Sequence, residues 1–231
     1  MEQLIENIGV CRTADLPNPT YYVDALTGEF SSWAYCEEKS PTYRGQWRSE
    51  VFQVSDSHPL DLEIGTGNGY HFAHYAKNHP ERSFIGIEKK YKPLIQAIRR
   101  ALNEGCDNAR ILRYNANYLS HLFEKGELND VHIHFPDPWL KKRQKKHRLI
   151  QESFLKTLHE LQRPGSKVEF KTDSRDYFDW AVERFQKSPY QITRLTYDLH
   201  GSEFQKENFV THFEQIFLQQ GLPIHYAQLQ R

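Results

Sequence analysis

Four side chains that can grip a polar ligand recur at the ends of short apolar runs: Glu63, Glu88, Asn115 and Asp137. Glu63 stands two residues ahead of a G-x-G-x-G turn made by Gly65, Gly67 and Gly69, in the stretch EIGTGNG. Glycines allow a tight turn and close approach of backbone to ligand, and the helix that follows offers free N–H groups. Dinucleotide enzymes use G-x-G-x-x-G at such a turn. A pyrophosphate sits badly beside the Glu63 carboxylate, whereas the α-ammonium of S-adenosylmethionine suits it. Glu88 follows the glycine turn by the roughly 20 residues expected of a ribose-binding acid, because a carboxylate accepts from both hydroxyls of the diol. That feature serves NAD and S-adenosylmethionine alike. The Asn115 amide can bond an adenine edge, or it can form a turn.

Asp137 lies between Pro136 and Pro138, which restrict the turn around it. A carboxylate held stiffly at a strand end is placed for chemistry or for gripping a base. Trp139 can stack on a nucleobase or pack. Lys141, Lys142, Arg143, Lys145, Lys146 and Arg148 follow almost at once and would cover every face of a helix. Charge runs are usually solvated faces. At this edge, in a chain with 30 basic and 30 acidic residues, the local concentration points to a phosphate backbone. KTDSR brings Asp173 to a further strand end, where it suits base recognition; a helix N-cap by Asp173 or Ser174 is the equal alternative. His132 and His134 alternate with Val131 and Ile133, and without a third ligand in the pattern they read as strand packing, so no metal is expected.

The elements that must position these groups alternate. LDLEIG (60–65), SFIGIE (83–88), ARILRYN (109–115), DVHIHF (130–135) and SKVEFKT (166–172) read as strands. Helices are expected over NGYHFAHYAKNH, over KYKPLIQAIRRALNEG with Gly105 at its C-cap, around Ile150, Phe154, Leu158 and Leu161, from about 175 to 187, and near 211–220. ITRLTYDLH and PIHYAQLQ close the chain. Repeated βα units predict a parallel sheet with helices on both faces, and ligands in such sheets bind outside the carboxyl ends of the strands.

Residues 1–57 are irregular and rich in aromatics, among them Phe30, Trp33, Tyr35 and Trp47, which suit core packing or contact with tRNA. They form an N-terminal extension to a domain spanning 58–231. The 231 residues, 26% charged and 38% apolar, are enough for one substantial core. Cys11, Cys36 and Cys106 are scattered and odd in number, which reads as reduced thiols in the cytoplasm. The start MEQLIENIGVCRTA lacks a signal-peptide pattern, and no window approaches the roughly 20 apolar residues of a membrane span.

EIGTGNG, IGIE, NAN, FPDPWLKKRQKKHR, FKTDSR and THFEQIFLQQGLPI occur in this order. Over roughly residues 58–231 the chain resembles the tRNA (guanine-N7)-methyltransferase family. The resemblance implies an α/β class I methyltransferase, Rossmann-like, with a mostly parallel seven-stranded sheet flanked by helices. It implies S-adenosylmethionine as donor and a guanine in the tRNA variable loop as acceptor; monomer and homodimer are both open. By motif, Glu63, Glu88, Asn115 and Asp137 match cofactor-contacting positions, with Asp137 also catalytic. Lys141, Asp173 and the segment Thr211, His212, Phe213 and Glu214 match substrate-binding positions. Three positions depart from the pattern: Asn68 where lysine is common, Asn115 where an acid is common, and T-H-F-E where T-E-Y-E is common. The D-P-W stretch is also similar to the D-P-P-Y of exocyclic-amine methyltransferases. That activity, an NAD-dependent oxidoreductase and a non-catalytic RNA-binding protein are the rival readings; Glu63 and the glycine spacing argue against the second.

Overall fold

The computed structural model describes residues 20–231. Cys11 and the opening segment MEQLIENIGVCRTA lie outside the described residues. The chain forms two compact units, divided between Asn129 and Asp130.

The first unit begins with helix α1 (Thr20–Thr27) and a two-residue strand β1 (Ala34–Tyr35). It continues through β2 (Leu60–Ile64), α2 (Tyr70–Asn78), β3 (Ser83–Ile87), α3 (Tyr91–Asn103) and β4 (Ala109–Leu112). These strands lie in the order β1-β4-β3-β2 and are all parallel. All five residues of β2 and all five of β3 are buried, as expected of strands covered on both faces. The acidic Asp61 is tolerated in β2 because Arg82 and Tyr75 donate to its carboxylate. Helix α3 buries Tyr91, Leu94, Ile95, Ala97, Ile98 and Ala101, the stripe its spacing predicts. Pro93 is harmless in the first turn, and Gly105, at φ +73°, takes the left-handed position past the end.

The second unit holds β5 (Val131–His134), α4 (Glu152–Leu161), β6 (Lys167–Thr172), α5 (Arg175–Lys187), β7 (Gln191–Thr196), α6 (His212–Gln219) and β8 (His225–Gln230). The order is β5-β6-β8-β7, with β5 and β6 parallel and β8 antiparallel to both its neighbours. The described residues therefore carry eight strands, one more than the seven expected. The addition is β1, which pairs Ala34 with Ile111 and Tyr35 with Leu112. Two residues show no alternation, so nothing in the local pattern announces them.

The aromatic-rich N-terminal segment supplies part of the first unit's interior. Phe30, Tyr35 and Trp47 are buried. Trp47 lies in a single wide helical turn (Trp47–Phe52), and its indole N–H donates to the Leu122 carbonyl at 2.7 Å. The rings of Tyr35, Tyr43 and Phe123 surround it at 5.4, 5.4 and 6.2 Å. Glu37 forms a buried ion pair with Arg113, just past β4. Trp47→Ala is expected to cost about 3–5 kcal/mol of unfolding free energy, measured by denaturant titration. A loss below about 1 kcal/mol, the size of an ordinary surface change, would show that this segment does not support the unit.

Candidate active site

In the first unit the parallel register places Ile64 beside Ile87, and Ile87 beside Leu112. Gly65, Glu88 and Arg113 therefore leave the sheet at one level. The backbone N–H groups of Gly65 and Thr66 both donate to the Ile87 carbonyl, at 2.8 and 3.2 Å. The three glycines of the turn all have positive φ, at +81°, +53° and +78°. A Cβ on Gly65 would meet no atom within 4 Å, whereas one on Gly69 would lie 2.4 Å from the Ala97 Cα. Gly69 is thus where α2 packs on α3, and Gly65 is where the turn stays open to a ligand.

Glu88 spans this edge. One carboxylate oxygen accepts from Gly67 N at 3.0 Å and the other from Lys90 N at 2.9 Å. Each oxygen has a second lone pair for a ribose hydroxyl. Glu63 is buried, with Oε2 at 2.9 Å from His71 Nδ1 in the first turn of α2. Asn115 lies beyond β4, which ends three residues before the expected boundary. Its Oδ1 accepts from Asn117 N at 3.1 Å and caps the short helical turn Ala116–His121.

In the second unit His134 pairs with Lys171 in register, so the segments after β5 and β6 leave the sheet together. His132 meets Glu169 across these strands at 3.1 Å. Burial would raise the Glu169 carboxyl, but the hydrogen bond and charge of His132, with Lys171 and Tyr226, hold it well below its ordinary value.

Asp137 is exposed, and the turn around it is strained. Phe135 and Trp139, two residues to either side, have φ of +51° and +44°, a region bulky side chains rarely enter. Each costs about 1–3 kcal/mol. Neighbours hold both: the Phe135 ring lies 5.4 Å from Phe217, its N–H donates to the Lys171 carbonyl at 2.8 Å, and the Trp139 ring lies 5.4 Å from His147.

The basic run is not a helix covered in cations. It makes one short turn, Lys142–His147, and its cations divide. Lys141, Lys142, Arg143 and Lys146 are exposed. Lys145 donates to Asp176 at 2.7 Å, and the fully buried Arg148 donates to the other oxygen of the same carboxylate. These hydrogen bonds hold the Asp176 carboxyl below its usual range. The reading of Arg148 as a phosphate-facing cation is therefore corrected.

Ser174, not Asp173, caps α5, accepting from Tyr177 N at 3.3 Å. Asp173 is half-buried, and burial raises its carboxyl against the lowering effect of its own backbone N–H and of His225. At the start of α6, Thr211 and Glu214 form a reciprocal capping box. Glu214 is fully buried; it accepts from His200 at 2.7 Å and Asn208 at 2.6 Å, and lies 3.5 Å from the Lys171 ammonium. His212 and Phe213 between them are exposed. The sequence pattern did not disclose His71, Asp176, His200 or Asn208 as partners of the site. Only T-x-x-E carried a recognisable signal, that of a capping box.

Residues 57–227 match the family model described as "Putative methyltransferase". The tRNA (guanine-N(7)-)-methyltransferase of Bdellovibrio bacteriovorus is 49% identical over 90% of this chain and 99% of its own. Among solved structures, the 16S rRNA methyltransferase KamB is 16% identical with a TM-score of 0.55, covering 78% of this chain and 90% of its own. A 16S rRNA adenine-N1 methyltransferase from Catenulisporales acidiphilia, solved with SAM, is 14% identical with a TM-score of 0.52, covering 76% and 85%. The family model, together with the fold, defines a class I S-adenosylmethionine-dependent methyltransferase. Within that class, the chain belongs to the tRNA (guanine-N7)-methyltransferase family.

The two outer glycines give separable outcomes. Gly69→Ala is expected to destabilise the fold, because both its φ and the close approach of Ala97 oppose a Cβ. Gly65→Ala is expected to lose about 1–2 kcal/mol from backbone strain while weakening S-adenosylmethionine binding in calorimetric titration. Equal donor affinity in Gly65→Ala and wild type would exclude Gly65 from the donor site.

Proposed function

We propose that this enzyme transfers the methyl group of S-adenosylmethionine to N7 of a guanine in the variable loop of tRNA. The observation that carries this reading is the exposed Asp137 carboxylate, held between two strained aromatic positions at a strand end of a chain in this family. Residues 58–231 are assigned the chemistry, and the segment before them a supporting role. Among the described residues no helix is long and apolar enough to cross a membrane; a tRNA substrate supports a cytoplasmic reaction.

The donor fits the first unit, where the turn stays open at Gly65. Glu88 would hold the ribose, Asn115 the adenine through its amide N–H, and Glu63, oriented by His71, the α-ammonium. When bound, the donor supplies a sulfonium methyl group. Guanine N7 carries a lone pair and no proton, so attack needs no strong base. Positioning alone can contribute roughly 7–11 kcal/mol. The product guanine is cationic, and a fixed carboxylate lowers the energy of that developing charge; Asp137 is assigned this role, along with contact to the donor. Asp173 is assigned to the base. Lys141, Lys142, Arg143 and Lys146 are assigned to the backbone, and His212 and Phe213, presented by the Thr211–Glu214 cap, to the surrounding RNA.

Labelled donor incubated with unmodified tRNA is expected to give 7-methylguanosine on nucleoside analysis. Asp137→Ala should bind the donor, keep the fold and lose turnover by on the order of a hundredfold. Wild-type turnover in that variant would remove Asp137 from the reaction, and label in an N-methylated exocyclic amine would overturn the N7 assignment. Replacing Lys141, Lys142, Arg143 or Lys146 with Gln should weaken tRNA binding and flatten its log–log salt dependence by about 0.7–0.9 for each phosphate no longer neutralised. An unchanged slope would return these lysines and Arg143 to an ordinary solvated face.

A further inference from the structure

We propose that Arg148 is a positioning residue: its guanidinium straps the turn that carries Asp137 to the first turn of α5, and turnover depends on that strap. The inference rests on the role given to Asp137 and adds what holds that carboxylate in place. Arg148 is the last cation of the basic run, yet its side chain has no solvent-exposed surface. A phosphate cannot reach it.

Its donors are directed inward and span two elements. Nε–H donates to the carbonyl of Pro138, the residue after Asp137, at 2.8 Å. Nη2 donates to the Asp176 carboxylate, and Nη1 lies 3.3 Å from the Asp176 backbone carbonyl. The cation also lies 4.9 Å from the Tyr177 ring and 5.2 Å from that of Trp180, a setting that suits a planar, weakly hydrated guanidinium. The same helix turn secures the chain after Arg148. The Tyr177 hydroxyl accepts from Ile150 N at 3.2 Å, and the Trp180 indole donates to the Ile150 carbonyl at 3.1 Å.

The turn needs such a hold. Phe135 and Trp139 both occupy backbone conformations that cost energy. Such conformations persist only where the surroundings over-determine them. The Phe135 side is pinned by Phe217 and the Lys171 carbonyl. On the other side, Pro138 has no N–H to donate, so its carbonyl is the one backbone hydrogen-bonding group that this residue offers. Arg148 ties it with a charged donor. Released, the turn can relax and carry Asp137 away from its productive place. Because Asp176 is three residues past Asp173, the strap also fixes the Asp137 turn against the helix that follows Asp173.

Arg148→Lys tests this. A single compact ammonium keeps the charge but cannot reproduce the fork that joins the Pro138 carbonyl to Asp176. The kcat is expected to fall by on the order of 10- to 100-fold, with KM for tRNA unchanged. In an Asp137→Asn background the same substitution should cause little further loss, because Arg148 acts through Asp137. Amide hydrogen exchange at Asp137, Trp139 and Leu140 should quicken while β5 stays protected. Asp176→Asn, which keeps an acceptor, should give a smaller effect of the same kind and guards against a lysine variant that fails to fold. A raised KM for tRNA with kcat intact, an equal fold-loss in both backgrounds, or unchanged exchange at the turn would each overturn the proposal. Absence of 7-methylguanosine with the wild-type enzyme would instead sink the reaction assigned above, and the exchange measurement would then decide the strap alone.

Discussion

Parallel pairing in register is the constraint on which the first unit depends. Ile64, Ile87 and Leu112 stand side by side, so the chain leaves three strands at one level and must turn there. The turn between Ile64 and α2 is the tight one. Two amides, of Gly65 and Thr66, share the Ile87 carbonyl, and Glu88 accepts from Gly67 and Lys90. The acid proposed to hold the ribose therefore already acts as the staple of its own loop. Binding a diol there requires no reorganisation of the backbone, because the carboxylate keeps one lone pair per oxygen for it. The edge proposed for the donor is pre-formed by the same hydrogen bonds that let the strands end together.

The second unit follows a different rule. Its strand ends are held by buried charge. Lys171, at the register position of His134, sits among Asn208, Phe209 and Glu214, and Glu214 in turn accepts from His200 and Asn208. A buried carboxylate of this kind is tolerated only when its neighbours supply donors. The arrangement explains why Thr211 and Glu214 stand apart from His212 and Phe213 in the same four-residue motif. The outer pair turns inward to define the helix start, and the inner pair is presented to solvent. A motif that matches substrate-binding positions as a block divides, in three dimensions, into residues that can touch RNA and residues that hold them out.

Much of this was legible in the sequence, because much of it is local. The strands ending near Gly65 and Glu88, the stripe of α3 and the Gly105 terminus follow from alternation, helical spacing and glycine's tolerance of positive φ. What was not legible depends on partners far along the chain. Nothing in LKKRQKKHR distinguishes Arg148 from Lys142; the distinction is made by Asp176, on a later helix. Glu63 and His71 are eight residues apart across a βα turn, and only the fold makes them neighbours. Asn115 reads equally well as a base-binding amide and as a turn former, and its oxygen caps the turn. The short strand β1 is specified by pairing with β4 rather than by its own two residues.

The Asp137 turn joins these two kinds of information. Its sequence, proline on both sides of an acid, announces stiffness but not conformation. Proline fixes its own φ and biases the residue before it toward extended backbone; it cannot place Phe135 or Trp139 in the left-handed region. Those conformations must be imposed from outside, by the ring of Phe217, the Lys171 carbonyl and the Arg148 fork. A less strained turn was available to the chain, one with glycine at the two left-handed positions. Glycine would have removed the strain together with the two rings that anchor the turn, leaving the carboxylate on a mobile loop. Aromatics at these positions exchange backbone energy for fixed anchors. That exchange suits the role proposed for Asp137, a single negative charge held in place for a reaction that needs no proton transfer.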